Sequence, residues 1–165
     1  MGVNEIFSAT LTPWRPAHPR NDHQGFFSLS RNRILFFWCE YYITQPTLGG
    51  ATPYSAKQSK DASPCRISGK VSADRGRTWS DTFMLQDNIG VDNVKHPNFV
   101  RLPTGRILFS FTVRDIANSR LMVFQRHSDD ECESWSESRR ISPGDGVYFT
   151  NADHVIMHSS GRIIL

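Results

Sequence analysis

SADRGRTW, residues Ser72 to Trp79, carries the pattern S-x-D-x-G-x-T-W, and every residue type in it suits a tight turn between two strands. Asp74 can fold its carboxylate onto backbone N–H groups further along, Gly76 reaches positive φ without a Cβ penalty, and Thr78 adds a hydroxyl to the same network. Trp79 opens an apolar stretch; its indole can pack between layers while its N–H takes one partner. The octet is therefore read as structural, since nothing in it has to touch a substrate. A second, altered copy, SDDECESW, runs from Ser128 to Trp135. It keeps Ser128, Asp130 and Trp135, replaces threonine with Ser134, and sets Cys132 where glycine stands in the first. Cysteine at left-handed φ costs about 1–2 kcal/mol, so the second octet either bears strain or takes another shape.

Around the octets lie internal repeats. FFSLSRNRILFFW (26–38), FVRLPTGRILFSF (99–111) and VIMHSSGRIIL (155–165) share an apolar strand, a short polar turn, an arginine and a second apolar strand. Arg33, Arg106 and Arg162 are equivalent, and Arg106 precedes Arg162 by the same interval that separates the two octets. The longer first interval has a visible cause. Between Tyr42 and Cys65 the chain is rich in Gly, Pro, Ser and Thr, and reads as one long loop. The first repeat predicts strands at Phe26–Leu29, Ile34–Tyr42, Arg66–Ser72 and Trp79–Leu85. The second predicts them at Asn98–Leu102, Ile107–Val113, Leu121–His127 and Trp135–Ile141, with β-branched and aromatic residues throughout and no helical periodicity. The third supplies a strand near His154–Met157 and stops at Leu165 within the next. Four-stranded units at this period form propellers, in which each unit buries its faces against its neighbours.

The octet is similar to the Asp-box of sialidases, and the chain resembles the sialidase-like, BNR-repeat proteins. The resemblance implies an all-β fold, a six-bladed β-propeller of the sialidase type. This chain, 1–165, would form a single incomplete propeller domain of about two and a half four-stranded blades. The blades are expected at 23–87 and 96–142, with a partial blade at 151–165, and the missing ones in a C-terminal part. Ser72, Asp74, Gly76, Thr78, Trp79, Ser128, Asp130 and Trp135 are its structural Asp-box residues. In function it implies exo-acting, sialidase-like glycoside hydrolysis with a carbohydrate substrate. The alternatives are a non-catalytic propeller that binds glycans or protein, and an inactive fragment.

Composition excludes several other classes. Of 165 residues, 38% are apolar and 21% charged, which is ordinary for one globular domain. The net charge of +3 comes from scattered Lys and Arg, so no nucleic-acid partner is expected. No apolar run approaches the roughly 20 residues of a membrane-spanning helix. The first residues lack a signal-peptide pattern, which with three irregularly spaced cysteines, Cys39, Cys65 and Cys132, points to a reducing, cytoplasmic location. No cofactor motif or metal set is read. His154 and His158 are four apart, which on a strand spans roughly 13 Å, too far for one ion.

An antiparallel meander alternates its connections between two ends, so the octets share one end with the turns at Asn32, Gly105 and Gly161. Polar residues crowd the other, where a pocket is expected. Glycoside chemistry needs carboxyl groups there, and Glu40, Asp115 and Asp153 are the candidate catalytic acids. Asp22, His23, Lys95, His96, Arg114, Asn151 and His154 are the candidate substrate-binding residues, with Lys95 and Arg114 as cations for a carboxylate or hydroxyls. His23 and His96 share a register position and are expected to face each other. The resemblance adds two comparisons. An arginine that binds the sialate carboxylate in sialidases corresponds to Asp22 in the first repeat, and to Lys95 of Lys95-His96-Pro97 in the second. The acid/base aspartate of sialidases lies shortly before the first Asp-box, where Asp61 stands here.

Overall fold

In the computed structural model the described residues are 8–43, 61, 63–144, 146–151 and 154–165. Among them every regular element is a strand. The first four, β1 (Asn21–Ser28), β2 (Ile34–Tyr41), β3 (Cys65–Ser72) and β4 (Phe83–Gln86), form one antiparallel sheet in chain order. β5 (Asn93–Arg101), β6 (Ile107–Asp115), β7 (Arg120–Ser128) and β8 (Arg139–Arg140) repeat that order in a second sheet. β9 (Ile156–Met157) and β10 (Ile163–Ile164) pair as a short third hairpin.

Period-two patterning explains how the sheets meet. Along β2, Leu35, Phe37, Cys39 and Tyr41 enter one core with Cys65, Ile67 and Leu85 of the same sheet. Val94, Ile107, Phe109, Phe111 and Val113 enter it from the second sheet. Phe99 links the two layers, 4.6 Å from the Phe37 ring and stacked at 4.5 Å on Phe109. β5 packs across β1, β2 and β3. Residues of opposite parity on β2, Trp38 and Glu40 among them, face away from this core and line a cavity with Leu11, Pro13 and Arg15.

Both octets form the same turn. In the first, the Ser72 hydroxyl donates to Asp74 (2.8 Å) and accepts from the Gly76 N–H (2.7 Å). Asp74 accepts from the Thr78 N–H (2.8 Å) and hydroxyl (2.6 Å), and Trp79 Nε1 donates to the Gly76 carbonyl (3.0 Å). In the second, Ser128, Asp130, Cys132 and Ser134 repeat the serine, aspartate and hydroxyl bonds. Cys132 keeps φ at 71°, so it bears the strain rather than reshaping the turn, and its buried side chain joins the core in return. Gly76 has φ 89°, and a Cβ added there would meet nothing closer than Trp79 Cζ2 at 3.8 Å. Gly76→Ala therefore costs backbone strain alone, about 1–2 kcal/mol, read as a lower denaturant midpoint with an unchanged m-value.

An ion pair and a backbone hydrogen bond tie the second octet to the first sheet. Glu131 accepts from both terminal nitrogens of Arg101, at 2.5 and 3.0 Å, and from the Ser30 N–H. The Arg101 guanidinium holds the Glu131 carboxyl down at about 2. Arg33 pairs with Glu133 at 2.6 Å. The third hairpin hangs from the buried Asn98, whose Nδ2 donates to the Asn151 carbonyl (2.9 Å) and whose Oδ1 accepts from the His154 N–H (3.0 Å). The octets and hairpin turns thus occupy one end of the sheets and leave the other end to the candidate site.

Candidate functional site

The end opposite the octets is shaped by two matching irregularities. β1 and β5 shift register between Asp22 and Gly25 and between Lys95 and Asn98, and His23 (φ 48°) and His96 (φ 54°) sit in left-handed backbone at these bulges. Bulges re-aim side chains, and left-handed non-glycine residues concentrate at sites of function. Here they bring the two imidazoles into edge-on contact, ring centroids 4.6 Å apart at 85°. The equivalent histidines expected to face each other do so.

His23 and His96 line a cavity of about 370 Å³ together with Arg20, Asp61, Lys95 and Arg114, with Leu121 and Phe149 as its apolar wall. Arg20 pairs with Asp22 (2.6 Å) and with Asp61 (3.0 Å), and Lys95 Nζ lies 3.4 Å from Asp61. Arg114 Nη1 donates to the Asp61 backbone carbonyl at 2.7 Å, and among the described residues no carboxylate pairs with its guanidinium. Lys95 is buried to 2% exposure. Its ammonium lies 5.4 Å from the Tyr41 ring centroid, and Arg20 stacks on that ring at 4.6 Å. The aromatic face and Asp61 together compensate a lysine taken almost wholly out of water.

The titrating groups split in opposite directions. The hydrogen bond that His23 Nδ1 donates to the Asp22 carboxylate (2.8 Å), and then one with Cys39, raise His23 to about 9, so its ring is cationic at neutral pH. Burial, followed by the charges of His23, Lys95 and Arg114, lowers His96 to about 4 and keeps it neutral. Burial pushes Asp22 up, but His23, Lys95 and Arg20 outweigh it and the carboxyl stays below its usual range. Lys95 first, and then Arg20, hold Asp61 below that range too. Burial drives the Tyr41 phenol far up. Four cations, Arg20, His23, Lys95 and Arg114, thus oppose two carboxylates, Asp22 and Asp61. The charged groups lining and bordering this cavity are therefore net positive.

Asp22, His23, Lys95, His96 and Arg114 are brought together here, while Glu40, Asp115, Asn151 and His154 lie elsewhere. Glu40 is on the opposite face of β2, its carboxylate bound to Arg66 Nε and to the Ser68 hydroxyl, each at 2.8 Å. That face adjoins a separate cavity of about 220 Å³ that also includes His18 and Lys70. Asp115 is buried and holds a turn, accepting from Asn118 Nδ2 at 2.8 Å. Asn151 and His154 carry the third hairpin, and Asp153 lies outside the described residues. Lys95 pairs with Asp61, and neither it nor Arg114 pairs with Glu40 or Asp115.

Arg20, Tyr41 and Cys39 are contributors that sequence reasoning missed. Arg20 precedes the first strand and carries no pattern. Cys39 reads as one more apolar residue of Ile34–Cys39. No metal set was legible either, yet among the described residues the fold assembles a cluster of ligand types, Asp22, His23 and Cys39, with donor atoms all within 4.8 Å of one another. Its only sequence sign is the strand register, which sets Asp22 opposite Cys39.

No family model matches the chain, and none of the curated proteins matches its sequence. Solved structures do match its fold. A protein of unknown function from Dyadobacter fermentans is 14% identical, with a TM-score of 0.61 over 91% of this chain and 46% of that one. The NanB sialidase of Streptococcus pneumoniae, in complex with 2-[(3-chlorobenzyl)ammonio]ethanesulfonate, is 10% identical, with a TM-score of 0.57 over 99% of this chain and 43% of that one. The Hadza microbial sialidase Hz136 is 15% identical, with a TM-score of 0.56 over 89% of this chain and 32% of that one. These likenesses are of fold, and the chain spans less than half the length of each of the three proteins.

Proposed function

We propose that the two four-stranded sheets are consecutive blades of a sialidase-type six-bladed β-propeller, and that the cationic cavity receives the carboxylate of an acidic sugar. The carrying observation is the convergence of Arg20, Lys95 and Arg114 on one cavity where carboxylates are outnumbered. Arg114 offers a guanidinium with no carboxylate of its own among the described residues, suited to bidentate capture of a planar anion. A sulfonate-bearing ligand on a sialidase of the same fold is consistent with an anion site in this architecture.

The reaction that fits is exo-acting glycoside hydrolysis, with Asp61 as the acid/base group. In the free protein Asp61 is held ionised by Lys95 and Arg20. A substrate carboxylate arriving on those cations neutralises the field that depresses Asp61, and its proton affinity rises toward what a general acid needs. Substrate binding and acid activation are then one event. The protein should turn over an aryl α-sialoside and leave an uncharged aryl glucoside untouched. Asp61→Asn should lower kcat by about 10²-fold or more. A variant with full activity would remove Asp61 from the chemistry.

A second reading, a non-catalytic acidic-glycan binder, is favoured by the same clamp on Asp61, which leaves that carboxylate fully ionised in the free protein. Binding of the acidic sugar by the wild-type protein with no turnover of any sialoside would select it.

A further inference from the structure

We infer that Asp22, His23 and Cys39 form a binding site for a divalent transition metal ion, zinc by the chemistry of its donors, against the wall of the cavity. A carboxylate oxygen, a ring nitrogen and a thiol sulfur lie within 4.8 Å of one another on two paired strands, Asp22 being the register partner of Cys39. Zinc bonds of about 2.0–2.3 Å in tetrahedral geometry set such donors roughly 3.3–3.8 Å apart. Asp22 Oδ1 and His23 Nδ1, now 2.8 Å apart, need to open by about half an ångström. Oxygen, imidazole and thiolate together suit zinc, whereas magnesium and calcium select oxygen alone.

The surroundings match what metal sites need beyond their ligands. Arg20 Nη2 holds the outer carboxylate oxygen of Asp22 at 2.6 Å, which fixes the carboxylate and leaves its inner oxygen for the ion. The Asp22 carboxylate and a Cys39 thiolate cancel the two charges of the metal, so Lys95 and Arg114 nearby do not forbid it. His96 supplies an independent indication. Its ring meets that of His23 at 4.6 Å, and its Nδ1 is buried without a hydrogen-bond partner. A buried ring nitrogen without a partner, on a ring packed against a ligand histidine, is a polar group that the protein's own hydrogen bonds leave unsatisfied at this wall. Binding is simple exchange: the metal sheds waters, and the Cys39 thiol proton and the proton shared by Asp22 and His23 pass to solvent. No electron moves.

Cobalt(II) is the probe, because its thiolate charge-transfer band reports sulfur ligation directly. The full chain, stripped with chelator and titrated with Co²⁺, should develop that band and saturate at one equivalent, and Zn²⁺ should bleach it. Cys39→Ser should remove the band. His23→Gln, on the cavity wall and so less exposed to folding failure, should weaken binding at least about tenfold. Cys132→Ser, in the octet turn, should leave both unchanged. A folded wild-type protein that shows no band in excess Co²⁺ overturns the site, as does a band that keeps its affinity in His23→Gln.

Discussion

Phe109→Ala lowers the unfolding free energy by about 3–5 kcal/mol, which takes much of the roughly 5–15 kcal/mol that a domain possesses. Phe109 has 0% exposure and lies where the sheets meet. Its ring stacks on Phe99 at 4.5 Å and contacts Phe111 at 5.2 Å and Trp135 at 5.4 Å. Phe99 in turn touches Phe27 and Phe37 of the first sheet. Removing the ring therefore opens a cavity that both sheets line and neither can fill without giving up register. Phe26→Ala is the matched control. That ring is 63% exposed on the outer face and its loss should stay within about 0.5 kcal/mol. Urea midpoints for the two variants decide it; similar small losses would mean that the sheets do not share a core.

Lys95→Met weakens binding of an acidic monosaccharide by about tenfold to a hundredfold and leaves the fold intact. The substitution keeps the unbranched stem that fills the site beside Tyr41 and deletes only the ammonium. A charge-assisted hydrogen bond contributes about 1.5–3 kcal/mol, and 1.4 kcal/mol is a factor of ten. Asp61 keeps Arg20 as its partner at 3.0 Å, so the deletion does not strand a carboxylate. Titration calorimetry with wild type and variant reads the ratio. An unchanged affinity would remove Lys95 from the site.

The sheets were legible because their determinants are local. Ser72, Asp74, Gly76 and Thr78 satisfy one another within one turn, and the alternation of Leu35, Phe37 and Cys39 declares a buried face. The ends of the strands were less legible. β1 begins at Asn21 and β5 at Asn93, ahead of the expected Phe26 and Asn98, because Asp22-His23-Gln24-Gly25 and Lys95-His96-Pro97-Asn98 have the composition of loops. They stay in the sheet through bulges that no propensity describes. β4 starts at Phe83 rather than Trp79, since the Trp79 indole bonds back to Gly76 within the turn.

The meander gathers the polar residues at one end of the sheets but does not resolve their face. Glu40 and Tyr41 are neighbours in sequence, and the pleat sends one to Arg66 and the other toward Arg20 and Lys95, so a candidate acid chosen by its end alone lies on the face away from this cavity. Asp61 reaches Arg20 and Lys95 from within the long Gly- and Pro-rich stretch between Tyr42 and Cys65, through tertiary contact that spacing does not encode. Cys39 became a ligand candidate only through the register that faces it with Asp22.

The central claim, that Arg20, Lys95 and Arg114 hold the carboxylate of an acidic sugar, is tested most directly by comparing N-acetylneuraminic acid with its methyl ester in NMR titrations of the protein. The free acid should bind and shift the side-chain signals of Arg20 and Arg114, with the ester at least about tenfold weaker because the anion is gone. Equal binding of acid and ester, or an acid that leaves those arginine signals unmoved, would contradict it.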